Sequence, residues 1–266
     1  VQLDLGADPG ELESLCRRLQ PALVFNLAGY GVDRSERDES LAYLINEQLV
    51  RTLCHAMVRS RDESWPGQAV VHVGSALEYG EISGDLSEES EPNPTTLYGQ
   101  SKLAGTRALA VCCKENGLKA VSARLFTVYG PGEHEGRLVP SLLQSATENR
   151  ALELTAGMQK RDFTYVEDVA EGLLRLGLAD TLRGQVINLA SGHLQTVRQF
   201  IEEAADVLAI PTEHLRFGRV PTRSEEMEHL PVSIERMRCS INWSPVIKVQ
   251  QGIRETAEFF EREGVK

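Results

Sequence analysis

No apolar run in this sequence approaches the ~20 residues that a membrane-spanning helix needs, and its first residues carry no signal-peptide pattern. Low-complexity tracts and internal repeats are absent as well. Cysteine is scarce: Cys16, Cys54, Cys112, Cys113 and Cys239 show no CxxC or Cys/His spacing, and an odd count argues against a disulfide framework. A reducing cytoplasm is therefore expected, and no metal. Basic charge is in deficit too, with 28 Lys and Arg against 39 Asp and Glu, so nothing here offers a footprint for nucleic acid or an anionic membrane. A small phosphorylated ligand stays open, because a few arginines in a cleft override the global sign.

What is present is an ordinary globular composition, 266 residues with 41% apolar and 25% charged side chains, enough for one large domain and a smaller one. Short β-branched apolar runs alternate with longer amphipathic stretches, which predicts an α/β fold with a parallel sheet. The strands expected are 22–28, 69–75, 120–126 and 184–190. Helices are expected over 8–20, with Asp8 as N-cap and Pro9 at the first helical position, over 40–58, over 95–117 and over 249–263. The sheet domain is expected from 1–130 and 159–190, and a smaller interleaved lobe from 131–158 and 191–266, closing over the carboxyl ends of the strands.

The stretch LYGQSK places Tyr98 and Lys102 four residues apart, on one face of a helix. A free tyrosine titrates near pH ~10, too high for a base at neutral pH, and a nearby ammonium stabilises the phenolate. Alone, the spacing equally suits an aromatic ring beside a solvated lysine. Upstream, the apolar run before VGSALEYG ends at Ser75, so its hydroxyl is expected at the carboxyl edge of the sheet, where it can bind a substrate oxygen. The run VFNLAG ends in Ala28 and Gly29, small enough for a cofactor to lie against the backbone, and Asn46 follows inside the next helix. Each also has a plain role: Ser75 as a cap, Gly29 as a turn former, Asn46 as a polar helix-surface residue. Asp168 in VEDVA is expected to cap or brace the helix that follows rather than to pair with Glu167 as a catalytic acid.

Taken in order, LDL with DPGELE, VFNLAG, VDRSERD, VGSALEYG, LYGQSK, RLFTVYGPG, RDFTYVEDVA, VINLASG, RSEEM and NWSP resemble the extended short-chain dehydrogenase/reductases, in their nucleotide-sugar epimerase/dehydratase branch. The resemblance covers nearly the whole chain and implies a Rossmann-like, doubly wound sheet that binds NAD or NADP, with a smaller substrate-binding lobe. It implies Tyr98 as acid/base, Lys102 as the residue that lowers its pKa and holds the nicotinamide ribose, and Ser75 as the hydroxyl on the reacting sugar oxygen. Asp4 and Leu5 would meet the adenine end, and Ala28 and Gly29 would line the cofactor. Arg161 and Arg223 resemble diphosphate contacts, Glu226 lies near the nucleoside ribose, and Thr127 stands where many members carry a sugar-contacting asparagine. Ser233 stands where an aspartate is frequent. A nucleotide sugar is the substrate implied, and a homodimer through the Tyr-x-x-x-Lys helix and its neighbour is the assembly implied.

Dehydratases of this kind resemble one another in two acidic residues directly after the serine or threonine; here Ala76 and Leu77 stand there and Glu78 comes one position late, so dehydration is not expected. Epimerisation is favoured over net 4-ketoreduction, with a catalytically silent nucleotide-binding relative as the alternative of another class. No G-x-x-G-x-x-G turn occurs, and VQLDL resembles the family's third strand. The expectation is therefore a fragment lacking about 55 to 60 residues that would carry the pyrophosphate-binding turn, with a gap in the middle of the sheet. The other possibility is a shortened relative whose first strand pairs directly with 22–28.

Overall fold

In the computed structural model, residues 3–5, 9–33, 35–221 and 229–263 are described. By its contacts the chain divides into two compact units, Val1–Leu125 with Gly172–Leu189 and Ser233–Trp243, and Phe126–Glu171 with Ala190–Val232 and Ser244–Lys266.

The first unit is built on a parallel sheet of β1 (Val24–Asn26), β2 (Val70–Ser75), β3 (Ala120–Leu125) and β7 (Val186–Leu189), in the order β1-β2-β3-β7. β2 and β3 are the central pair, and most of their side chains are buried, including the polar His72, Ser122 and Arg124, as strands covered on both faces require. Helix α1 (Pro9–Leu19) opens at Pro9 as expected, while its anticipated cap Asp8 lies outside the described residues. The segment anticipated as one helix over 40–58 is α2 (Glu39–Tyr43) and α3 (Leu49–Ser60) joined by a π-helical stretch, Leu44–Gln48. Helix α4 (Leu97–Asn116) starts on Thr96, whose hydroxyl accepts the Gly99 N–H at 3.1 Å, and stops at Gly117 in the left-handed conformation (φ 63°). Val50, Leu53, Met57, Val70, Leu109 and Leu118 form the core between α1, α3, α4 and the sheet. Each such side chain contributes about 1.5 to 3 kcal/mol of hydrophobic stabilisation.

Of the strand anticipated in VQLDL, none is found among the described Leu3–Leu5. Val1 and Gln2 lie outside the described residues, Leu3 and Asp4 are irregular and Leu5 is in a turn. Among the described residues β1 pairs only with β2, so Leu3–Leu5 have no ladder partner, and an unpaired segment gains nothing from the extended conformation.

The second unit holds β4 (Thr127–Tyr129), β6 (Lys160–Tyr165) and β8 (Leu194–Thr196) in the order β4-β6-β8, and the short pair β5 (Leu152–Glu153) and β9 (Leu215–Arg216). Its helices are α5 (Leu138–Glu148), α7 (Val197–Leu208) and α9 (Val249–Glu263); α6 (Val166–Leu178) runs across the division between units, and α8 (Glu235–Ile241) belongs to the first. The core is aromatic: Phe163 stacks on Phe200 at 3.9 Å, and Tyr129 meets Phe200 and Tyr165 at 5.2 and 5.6 Å. Asp168 braces rather than caps, its Oδ2 accepting the N–H groups of Val246 and Ile247 at 3.0 and 2.8 Å.

Candidate functional site

The carboxyl ends of β1 and β2 lie side by side, with Asn26 in register with His72. From β1 the chain runs on through Ala28 and the exposed Gly29; from β2 it leaves at Ser75 into a 3-10 turn, Ala76–Glu78. That turn is a capping box. The Ser75 hydroxyl accepts the Leu77 N–H at 3.2 Å, and Glu78 Oε1 accepts the Ser75 N–H at 2.9 Å.

Above these ends α4 carries Tyr98 and Lys102, one turn apart. Lys102 is buried, and its Nζ donates to the carbonyl oxygens of Ala28 and Val73, each at 3.0 Å. Burial pushes its pKa down to about 8, against an opposing pull from Glu78, so the ammonium is still the main form at neutral pH. The Ser75 side chain acts on the Tyr98 hydroxyl to favour its ionised form, so the three anticipated residues are neighbours. The phenol is not drawn down as the sequence suggested. The ammonium is 6.0 Å from the ring centroid and turned to the two carbonyls, and burial, then Glu78 and then Glu36 raise Tyr98 to about 12 against a lowering pull from the Ser75 side chain. Tyr98 is therefore a protonated phenol, a proton donor in waiting.

Asn46, whose plain role was that of a polar helix-surface residue, is fully buried. The π-helical stretch turns it inward, so that Oδ1 accepts the Tyr30 N–H at 3.0 Å and Nδ2 donates to the Tyr30 carbonyl and Ser101 Oγ at 2.7 and 2.9 Å. It thereby clamps the chain just beyond Gly29. Glu78, set aside on sequence spacing, is also fully buried at this site, accepting from Ser75 N, Thr106 Oγ1 and Arg124 Nε. The Ser-x-x-Glu pattern of a capping box was the signal that could have found it.

The residues here fit the nicotinamide end of a dinucleotide. They stand outside the carboxyl ends of parallel strands, the general ligand position of open α/β sheets. Two of the three Lys102 donors are used, leaving one without a partner among the described residues. A Cβ on Gly29 would press on Lys102 Nζ at 3.3 Å, so the bare backbone keeps that approach open. Leu5, anticipated at the adenine end, lines a small cavity with Leu3, Leu12, Leu44, Gln48, Leu49 and Thr52, to which Ala28, Gly29, Tyr98 and Lys102 do not contribute. Asp4 is exposed.

In the second unit, Thr127 opens β4 opposite Phe163, and Arg161 lies on β6 opposite Gln195 with Nη1 on the Lys160 carbonyl at 2.9 Å. Arg223 and Glu226 lie outside the described residues, as does all of RSEEM. Among the described residues no cluster of three or more His, Cys, Asp or Glu could hold a metal, and no helix is long and apolar enough to cross a membrane.

Residues 1–190 match the model of the family described as "NAD dependent epimerase/dehydratase". The chain belongs to that family. Its members are NAD(P)-dependent enzymes of nucleotide sugars, and the Rossmann-like α/β fold is theirs. Among relatives, a dTDP-6-deoxy-L-talose 4-dehydrogenase (NAD(P)(+)) from Kitasatospora kifunensis is 28% identical over 96% of this chain and 80% of its own. An uncharacterised UDP-glucose epimerase of Bacillus subtilis is 28% identical over 53% of this chain and 45% of its own. Among solved structures, RMD from Pseudomonas aeruginosa complexed with NADPH superposes with a TM-score of 0.85 at 27% identity, over 99% of this chain and 88% of that one.

Proposed function

We propose that this member of the epimerase/dehydratase family is an NAD(P)H-dependent 4-ketoreductase of nucleotide sugars. The observation that carries the proposal is the Ser75–Tyr98–Lys102 set at the strand ends, with Lys102 anchored on the Ala28 and Val73 carbonyls and Tyr98 one helical turn before it. When bound, the nicotinamide supplies hydride to the sugar carbon. Ser75 holds the carbonyl oxygen, and Tyr98 gives that oxygen its proton as the alcohol forms. Lys102, anchored on Ala28 and Val73, keeps positive charge beside the phenolate that results and offers its remaining N–H to the cofactor ribose. Ala28 and Gly29 line the nicotinamide side, and Asp4 and Leu5 are assigned to the adenine end.

On the substrate side, Arg161 and Arg223 are assigned to the diphosphate, where a planar donor fork suits phosphate oxygens, Glu226 to the nucleoside ribose and Thr127 to the sugar. Net oxidoreduction is preferred because the 4-dehydrogenase relative is similar along nearly the whole chain. Dehydration finds no acid here: Ala76 is buried, and the Glu78 carboxylate is committed to Arg124, Ser75 and Thr106.

Epimerisation is the second reading, favoured by the similarity to the UDP-glucose epimerase, and it uses the same proton-handling set. The two separate in one experiment. With a nucleoside-diphosphate 4-keto-6-deoxyhexose and NAD(P)D, the reductase delivers one deuterium to carbon 4 of the product, seen by NMR. Inversion at carbon 4 of a 4-hydroxy nucleotide sugar without deuterium, with the 4-keto sugar left unreduced, would overturn the reductase, and no product with any nucleotide sugar would leave a binding protein.

A further inference from the structure

Beneath α4 the sheet carries a layer of buried polar side chains. Asn26, His72 and Ser122 hold paired positions on β1, β2 and β3; two residues further on, Gly74, Arg124 and Asn188 hold paired positions on β2, β3 and β7. The alternation of a strand puts all six on one face. Gly74 leaves the space for Glu78, since a Cβ there would collide with Glu78 Oε1. Glu78 is the hub: Oε1 accepts Ser75 N–H at 2.9 Å and Thr106 Oγ1 at 3.2 Å, and Oε2 accepts Arg124 Nε at 2.9 Å. Arg124 in turn lies 4.3 Å over the Tyr79 ring, and the Tyr79 hydroxyl donates to Asn188 Oδ1 at 2.8 Å. Both partners of the ion pair are at most 3% exposed. A pair so buried adds little net stability, because desolvation of the two ions offsets their attraction. Its place beneath the proton-handling residues gives it another use.

We propose that Glu78 is a positioning residue of the reaction: its buried carboxylate fixes Ser75 at the end of β2 and, bonded to Thr106 one turn along α4 from Lys102, places a negative charge beneath the helix that carries Tyr98 and Lys102. This rests on the assignment of Tyr98 as proton donor. The charged and titratable groups facing the pair among the described residues are Glu78 and Arg124 from beneath, Glu36 from the loop before α2, and His72 on β2, which burial keeps neutral. After burial itself, Glu78 stands first in raising Tyr98, and it also supports the charge on Lys102. Removing its charge moves both titrations to lower pH. Loss of a purely structural residue would lower stability or raise KM and leave the titrations in place.

The test is Glu78→Gln in the full chain, followed by carbon-13 NMR of ring-labelled tyrosine, with Tyr98 assigned by its disappearance in Tyr98→Phe. The phenolate is expected to form about one pH unit or more below the wild-type position, and the alkaline limb of turnover to move the same way. If the single variant does not fold, Glu78→Gln/Arg124→Gln replaces the ion pair by an amide pair and carries the same readout. An unmoved Tyr98 titration in either folded variant overturns the proposal. Because the NMR readout needs no turnover, a protein with a moving titration and no reductase activity would fault the functional assignment rather than the link between Glu78 and Tyr98.

Discussion

In the first unit an apolar core gives way near the strand ends to buried Lys102, Glu78, Arg124, His72 and Asn46, whereas the second unit packs Phe163 on Phe200 and closes Tyr129, Tyr165 and Ile253 around them. Aromatic burial repays itself in hydrophobic and dispersion energy. Buried ions and amides do not, since each must recover through hydrogen bonds what it loses by leaving water. The polar layer is thus a stability cost carried where the chemistry is, and the two units should respond differently to damage. Substitution in the aromatic core should unfold the protein, and substitution in the polar layer should first change what the protein does.

The largest effect expected is on the aromatic side. Phe200→Ala removes the partner of Phe163 and Tyr129 and should destabilise the fold by about 3 to 5 kcal/mol, read by denaturant unfolding. A loss under about 1 kcal/mol would erase the contrast between the units.

Acid should then act on both units through one buried histidine each. Burial, and then a positive neighbour (Lys102 for His72, Arg161 for His229), pushes each ring down to about 3. In the unfolded chain each titrates near pH ~6.5, so the unfolded state takes up protons first. The stability is fully present above pH ~6.5 and is lost as pH falls toward about 3, reaching about 2 kcal/mol per histidine at pH ~5. Melting curves of His72→Gln and His229→Gln between pH ~7 and ~5 should each show a shallower pH slope than wild type. An unchanged slope in both would place the acid sensitivity elsewhere.

The smallest effect sharpens the comparison most. Thr96 caps α4 in the first unit and Thr196 caps α7 in the second, with matching bonds of 3.1 Å to the third helical N–H. Either change to Ala should cost about 1 kcal/mol of stability. Only Thr96→Ala should also slow turnover, because that cap holds the first turn of the helix carrying Tyr98. Equal kinetic effects in the two variants would show that helix start to be irrelevant to the reaction.

Much of this was legible in the sequence where the signal is local. The four strands of the first unit fall inside the runs expected for them, and α9 covers 249–263 as read, because β-branched runs and amphipathic spacing carry their own pattern. Ser75, Tyr98 and Lys102 were legible as a set. The role of Asn46 was hidden because a π-helical stretch shifts the register of a helix without changing its composition, turning a position inward that regular spacing leaves outside. Glu78 was hidden because counting from Ser75 ignores the 3-10 turn that folds its carboxylate back beneath the strand end. The return of Ser233–Trp243 to the first unit rests on contacts far apart in sequence, Asn188 Nδ2 to the Ser233 carbonyl at 3.1 Å and Arg236 Nη1 to the Val186 carbonyl at 3.1 Å, which no local pattern encodes.

The central claim is that Tyr98, held protonated over Glu78, gives its proton to a sugar carbonyl oxygen. The direct measurement is the rate of NAD(P)H loss at 340 nm with a nucleoside-diphosphate 4-keto-6-deoxyhexose, compared between wild type and Tyr98→Phe after cofactor affinity has been measured in both. The account predicts a fall in turnover of about a hundredfold or more with cofactor affinity nearly unchanged. Turnover near the wild-type rate in Tyr98→Phe would contradict it.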